Sequence, residues 1–298
     1  MVPARGRRVQ GAGQGAGTTG VTTTFDAELT PGARNAVRVC LNVQPHERVT
    51  VVTDRACQEI AASLVHEIEA VGAPYRAFVL EDEAPRPLTA LPESIAADMH
   101  QSQVSVFAVE VQQHELASRM QLTAIVNQRR MRHAHMVNIT PQIMREGMRA
   151  DYLKVDRLSQ KVIEMVRTAH QVRATTPAGS NFTATLNPDY KWLKTSGLIS
   201  PDKWGNLPGG EIFTTPGEVN GTLVVDGVVG DFLCARFGML TDSPLTLEIV
   251  KPRHVGPPQG VLQGRGRGQG QRSHRRRPHV QHERVRDPRR SRPEALSA

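Results

Sequence analysis

The chain has 298 residues, enough for two domains with cores of their own, but its formal charge of +8 does not describe its body. Residues 251–298 hold 13 Lys+Arg against 3 Asp+Glu, and residues 1–20 add Arg5, Arg7 and Arg8 without an acid, which leaves residues 21–250 near −5. This excludes a basic nucleic-acid-binding body; Cys40, Cys57 and Cys234 are too few and too scattered for a disulfide framework or a zinc knuckle, and no apolar run approaches the roughly 20 residues of a membrane span.

Residues 1–23 are Gly, Ala, Gln, Arg and Thr with little to bury, and are expected to be disordered. Arg5 to Arg8 are followed by Gly and Gln instead of an apolar run, so no secretory leader is read there, and a cytoplasmic protein is the expectation. Thr30 before Pro31 predicts a capped helix start, with Ala36, Val37, Val39, Cys40 and Leu41 on the apolar face. The period then changes to the β-branched run 48–53, closed by Asp54, and back to a helix over 56–71 with Ile60, Leu64, Ile68 and Val71 in one stripe. Strand and helix go on alternating: strand 75–80, helix 91–99, strand 104–109, helix 115–126, strand 135–139. Apolar strands alternating with helices imply a doubly wound, mostly parallel α/β domain over 24–150. Ligands of such sheets gather at the carboxyl ends of the strands, where Thr53, Asp54, Glu81, Asp82 and Glu110 fall. No G-x-G-x-x-G or G-x-x-x-x-G-K-[ST] follows a strand, so nucleotide binding has no positive support.

Residues 151–170 predict a linking helix, with Asp151 and Asp156 near its start as dipole compensation. The texture then turns to short strands: a hairpin of 172–176 and 182–186, followed by 211–214, 222–225 and 245–249. Residues 151–250 thus read as the linking helix and a smaller antiparallel β-rich domain.

The most pointed motif lies in this second part. Glu211 follows Pro208, Gly209 and Gly210 in NLPGGEIFTTP (206–216), which places one carboxylate at the mouth of a strand with glycines that leave space beside it. Geometry alone favours an ordinary turn with a solvated Glu. The run 206–216, followed by NGTLVVDG (220–227), resembles the M29 metallo-aminopeptidases of the aminopeptidase T/S type. The resemblance implies a hydrolase that removes N-terminal residues from peptide substrates with two divalent metal ions (Zn, Co or Mg), with Glu211 as a metal ligand and a homodimeric state. The second Glu, two His, Tyr and Asp that complete the family's site have no matching motifs after Val250. Dihydroxypyridine dioxygenases resemble the same family, so a mononuclear iron ring-cleaving enzyme with a 2-His-1-carboxylate set is the alternative reading. A non-catalytic remnant with a basic arm is a third.

Other candidates read more plainly. His133 and His135 stand at strand spacing without an acidic neighbour, which favours a structural role over a metal site. Trp192 and Trp204 flank the loop before Glu211, as packing or as walls of a substrate pocket. Glu218, Asp226 and Asp231 read as solvated turn residues. After Val250 the apolar periodicity stops, and residues 251–298 read as a disordered basic tail. Gly264, Arg265, Gly266, Arg267 and Gly268 suit a nucleic-acid arm, but the tail has no aromatic residue for stacking; His279 and His282 before Glu283 read as chance spacing. The dominance of Arg, Gly, Pro and Ala matches a GC-rich gene read out of register, which is the favoured explanation of the tail.

Overall fold

The structure is a computed structural model that describes residues 8–10 and 24–250, so the expectations for the remaining residues of 1–23 and for 251–298 lie outside the described residues. A short ribbon, β1 (Arg8–Gln10) against β2 (Thr24–Asp26), opens it. Asp26 then caps a single 3-10 turn, Ala27–Leu29, by accepting the Glu28 N–H at 3.0 Å, and the chain continues directly into α1 (Thr30–Arg34) and a π-helical turn, Asn35–Cys40. The cap is therefore Asp26 and not Thr30, because the 3-10 turn begins the helical path one turn earlier. The apolar face is as predicted, with Ala36, Val37, Cys40 and Leu41 fully buried.

Four strands follow with helices between them: β3 (Val49–Thr53), α2 (Gln58–Val71), β4 (Tyr75–Val79), the short α3 (Leu80–Glu83), α4 (Glu93–Met99), β5 (Val104–Val109), α5 (Leu116–Arg129) and β6 (Arg132–Val137). The strands pair parallel throughout in the order β4-β3-β5-β6, with Val51 beside Ala77 on one side and Val106 on the other. All residues of β3 and β5 are buried, as expected of parallel strands covered on both faces.

Period-two alternation sends the strand side chains into two separate cores. Val49, Val51, Ala77, Val106 and Ala134 pack with residues 29–41 and with Ile60, Leu64 and Ile68 of α2. Val52, Phe78, Phe107 and Val109 pack with Ile95 and Met99 of α4 and with Leu122 and Val126 of α5. Gly72, at φ 84, ends α2 with the left-handed residue that only glycine adopts freely.

After α6 (Pro141–Arg145) and a 3-10 turn (Gly147–Arg149) comes α7 (Tyr152–Val166), whose cap Asp151 accepts from the Lys154 N–H at 3.0 Å. Beyond it lie β7 (Gln171–Thr175), β8 (Asn181–Leu186), β9 (Leu193–Thr195), β10 (Gly205–Asn206), β11 (Glu211–Phe213), β12 (Pro216–Val225), α8 (Gly230–Phe237) and β13 (Leu245–Val250). These form a four-stranded antiparallel sheet, β13-β12-β8-β7, and the antiparallel pair β9-β11. The chain is thus a mixed α/β protein with a parallel and a separate antiparallel sheet. One strand crosses between the halves of the sequence: β10 joins the parallel sheet beside β6, with Asn206 opposite His135. Among the described residues no helix is long and apolar enough to cross a membrane.

Candidate functional site

Glu211 opens β11 opposite Thr195, whose hydroxyl donates to Glu211 Oε1 at 3.0 Å, and the residue is solvent-exposed. Its surroundings are cationic and hydroxylic. Lys203 stands close enough to interact electrostatically, its ammonium bonded to the Lys194 carbonyl and its pKa lowered by burial and by Lys194. Lys194 reaches Asp156 at 2.7 Å, and Ser196 donates to the same Asp156 oxygen at 2.5 Å. Burial opposes the Asp156 charge, but these two donors outweigh it and hold its carboxyl below the usual range. Asp156 was expected as simple dipole compensation; it instead ties α7 to the loop before Glu211.

The glycines of the motif have a packing role. A Cβ on Gly209 would lie 2.9 Å from the Gly197 nitrogen, and one on Gly210 would lie 3.3 Å from Val155 of α7. Gly197, at φ 89, in turn rests on the ring of buried Tyr152, where a Cβ would come within 2.3 Å. Pro208 sits against Gly147 in the same way. The Pro-Gly-Gly bend is therefore the place where two loops approach backbone to backbone against side chains of α7. Among the described residues no three His, Cys, Asp or Glu side chains gather in a manner that could hold a metal ion.

A second cluster lies where sequence reasoning placed ligand binding, at the carboxyl ends of β3, β4 and β5. Here the chain fills the crevice itself. The Arg86 side chain is 5% exposed and reaches Asp54 at 2.8 Å, Glu81 at 3.3 Å and Glu115 at 2.6 Å, while also donating to the Glu110 carbonyl at 2.7 Å. Asp54 is fully buried and further accepts the backbone N–H groups of Cys57 at 2.9 Å and Glu110 at 2.7 Å. Burial alone would raise the Glu115 pKa, yet the Arg86 bond and the N–H groups of Leu88 and Gln112 hold it below the usual range. Cys57, behind Asp54, is driven the other way, its thiol pushed up to about 12 by burial and by the Asp54 charge. Arg86 escapes a motif search because its partners are spread over residues 54–115. The available signal was the row of carboxylates at adjacent strand ends, which needs a counter-charge.

The two histidines of β6 face the second core. His133 is fully buried, with Nδ1 2.8 Å from the Ser105 hydroxyl and Nε2 3.1 Å from His135 Nδ1. His135 stacks on Phe107 with centroids 5.4 Å apart, and Trp204 packs on both imidazoles. Burial lowers both pKa values, that of His135 to about 4 and that of His133 well below the ordinary value, so both are neutral at pH 7. This is a packed polar pair, not a ligand set. Trp204 is accordingly part of a core, whereas Trp192 lines an open cavity with Tyr190. Glu218 lies on β12 and Asp226 just beyond it, both exposed, and Asp231 falls within α8 and not at a strand entrance.

Fold and site define a mixed α/β protein: a parallel half with an arginine–carboxylate cluster at its strand ends, joined to an antiparallel half that carries the exposed Glu211. The profile of the NicX family, 2,5-dihydroxypyridine 5,6-dioxygenase, matches residues 28–255, and the chain belongs to that family. Among solved structures it is similar to the 2,5-dihydroxypyridine dioxygenase from Pseudomonas putida KT2440, at 17% identity and a TM-score of 0.53, over 75% of this chain and 65% of that one. A weaker likeness, at 14% identity and a TM-score of 0.47, is to AmpT from Thermus thermophilus over 66% of this chain and 64% of that one, and carries no argument. The chain thus spans slightly less than two thirds of either structure. No curated protein sequence matches it.

The family match corrects the resemblance read from the Glu211 motif. The chain is not placed among the M29 metallo-aminopeptidases, and the hydrolase and protease assignments fall with that placement. The pair of Zn, Co or Mg ions likewise finds no support. The physical reason is visible in the turn, where Pro208, Gly209 and Gly210 are fixed by loop packing. Such a motif marks a shared fold more firmly than it marks a reaction.

Proposed function

We propose that this chain belongs to the machinery of a dioxygenase that opens the ring of a dihydroxypyridine, and that residues 28–250 supply the frame and one carboxylate arm, Glu211. The observation that carries this reading is the family match across residues 28–255, which spans both sheets and the Glu211 turn. The family's metal would be iron. The described residues do not fit an iron site: Glu211 is exposed, its neighbours Thr195 and Lys203 offer a hydroxyl and a competing cation, and the two histidines are bonded to each other, with buried His133 also bonded to Ser105. The remaining donors therefore have to come from outside the described residues.

The sequence after Val250 bears on this need. Its Arg, Gly and Pro content departs from the apolar alternation that precedes it, as an out-of-register reading of the gene would. We take that origin as part of the proposal. Translation of the gene beyond Val250 in its other two frames is expected to reveal histidines and an acidic residue in ligand-like spacing. The frame-restored protein, supplied with Fe(II), is then expected to consume oxygen in proportion to 2,5-dihydroxypyridine. Low-complexity sequence in both other frames, or a restored protein that binds iron and leaves the pyridine intact, would refute the reading.

A further inference from the structure

The cavity that Trp192 lines shares no residue with the Arg86 cluster or the histidine pair, and it touches the Glu211 motif only through Thr214. It measures about 310 Å³, and its lining includes Ile163 in the last turn of α7, Arg167 just beyond that helix, Leu186 at the end of β8, and Tyr190, Lys191 and Trp192 in the loop before β9. The loop is held in shape: the Tyr190 N–H donates to the Asn187 carbonyl at 3.0 Å, the Asp189 N–H donates to Asn187 Oδ1 at 2.9 Å, and Thr214 Oγ1 donates to the Lys191 carbonyl at 3.2 Å.

Three features of the lining converge on one ligand chemistry. Tyr190 and Trp192 are two of the few aromatic residues in the chain, and both are part-buried in one wall, where they offer faces or edges to a planar ring. Arg167 and Lys191 line the same space without a carboxylate partner among the described residues, while no acidic side chain lines it. A guanidinium and an ammonium with no internal counter-ion suit an external carboxylate, the first through paired N–H donors and the second as a point charge. The volume is at the low end for small-molecule sites, enough for a single ring with its substituents and too small for a dinucleotide.

We propose that this cavity is a binding site for a small single-ring aromatic carboxylate, held by Arg167 and Lys191 at the acid and by Tyr190 and Trp192 at the ring. The site needs no metal, so it stands or falls independently of the dioxygenase reading. Calorimetric titration of the full chain with benzoate, cyclohexanecarboxylate and inorganic phosphate tests it, with Trp192 fluorescence as a second readout. Saturable binding of one benzoate per chain is expected, at least tenfold tighter than either control and weakened tenfold or more in Arg167→Gln and in Trp192→Leu. Arg167 is exposed, so its substitution leaves the fold in place, and circular dichroism of each variant checks this. Absence of saturation, equal affinity for cyclohexanecarboxylate or phosphate, or benzoate affinity unchanged in Arg167→Gln would overturn the proposal.

Discussion

In β3 every residue from Val49 to Thr53 is buried, whereas in β13 Leu247 is 42% exposed and Val250 is 79% exposed. The contrast extends to both sheets. The parallel sheet has a closed core on each face, while no residue of β7, β8, β9, β11, β12 or β13 is fully buried. Even α7, with an apolar stripe along its length, buries only Tyr152 and Ser159 and leaves Leu158 and Met165 more than 60% exposed. The first region is stabilised by burial of apolar surface, and the second by its ladder of hydrogen bonds and by a few fixed contacts such as Gly197 on Tyr152. The carboxylate that drew attention in the sequence lies in the less buried of the two.

The sharpest way to break this comparison is to delete one large side chain from each region. Phe78→Ala is expected to cost about 3–5 kcal/mol in urea unfolding, from lost transfer energy and a cavity in the second core. Leu247→Ala should cost under about 1 kcal/mol, because some two fifths of the residue is already in water and no closed core surrounds it. Similar losses in the two variants would refute the contrast.

Arg86→Ala comes next, with an expected loss of about 3 kcal/mol at pH 7, since it strands the buried Asp54 and Glu115 carboxylates without their counter-ion. The sign of its pH dependence follows from Glu115, whose carboxyl is depressed in the fold. Its contribution is fully present above the unfolded value near 4.5 and fades as pH falls through the lower folded value. The penalty of Arg86→Ala measured by urea midpoints should therefore shrink in acid, and a penalty independent of pH would contradict the pairing.

The histidine pair gives an effect of similar sign from a different cause. Both imidazoles are held neutral by burial, so the unfolded chain takes up protons near pH 6.5 that the folded chain refuses until lower pH. Stability should be full above pH 6.5 and decline below it, with His135 alone worth up to about 3 kcal/mol by pH 4. His135→Phe should flatten the decline between pH 6.5 and 4.5 in thermal melts. An unaltered slope would place the acid sensitivity elsewhere.

A more modest expected loss sharpens the account of the Glu211 turn. Gly197→Ala should cost about 1–3 kcal/mol, because a Cβ there meets the Tyr152 ring and the backbone has a positive φ. An alanine tolerated without loss of thermal stability would mean that the loops do not rely on this approach.

Legibility in the sequence follows the same division. Strands such as 104–109 are readable to the residue because burial on both faces leaves a run of Val and Phe interrupted only by the small Ser105 and Ala108. Strand β6 begins at Arg132, three residues before its predicted start, because Arg132 and His133 look like loop residues unless the Glu47 and Ser105 partners are known. The two-residue β10 carries no pattern at all and is set by its place beside β6. Acids at the ends of β3, β4 and β5 were located correctly, but Arg86, which consumes them, depends on contacts across residues 54–115 that no local window contains. At Glu211 the glycines suggest space for a ligand, and the structure fills that space with Gly197 and Val155.

Anaerobic titration of the chain with Fe(II), read by metal analysis after desalting, addresses the central claim most directly. The account predicts no retained stoichiometric iron and no oxygen uptake on addition of 2,5-dihydroxypyridine, because among the described residues no three His, Cys, Asp or Glu side chains gather to hold a metal, and Glu211 is bonded to a hydroxyl. One iron retained per chain, with pyridine-dependent oxygen uptake, would contradict it.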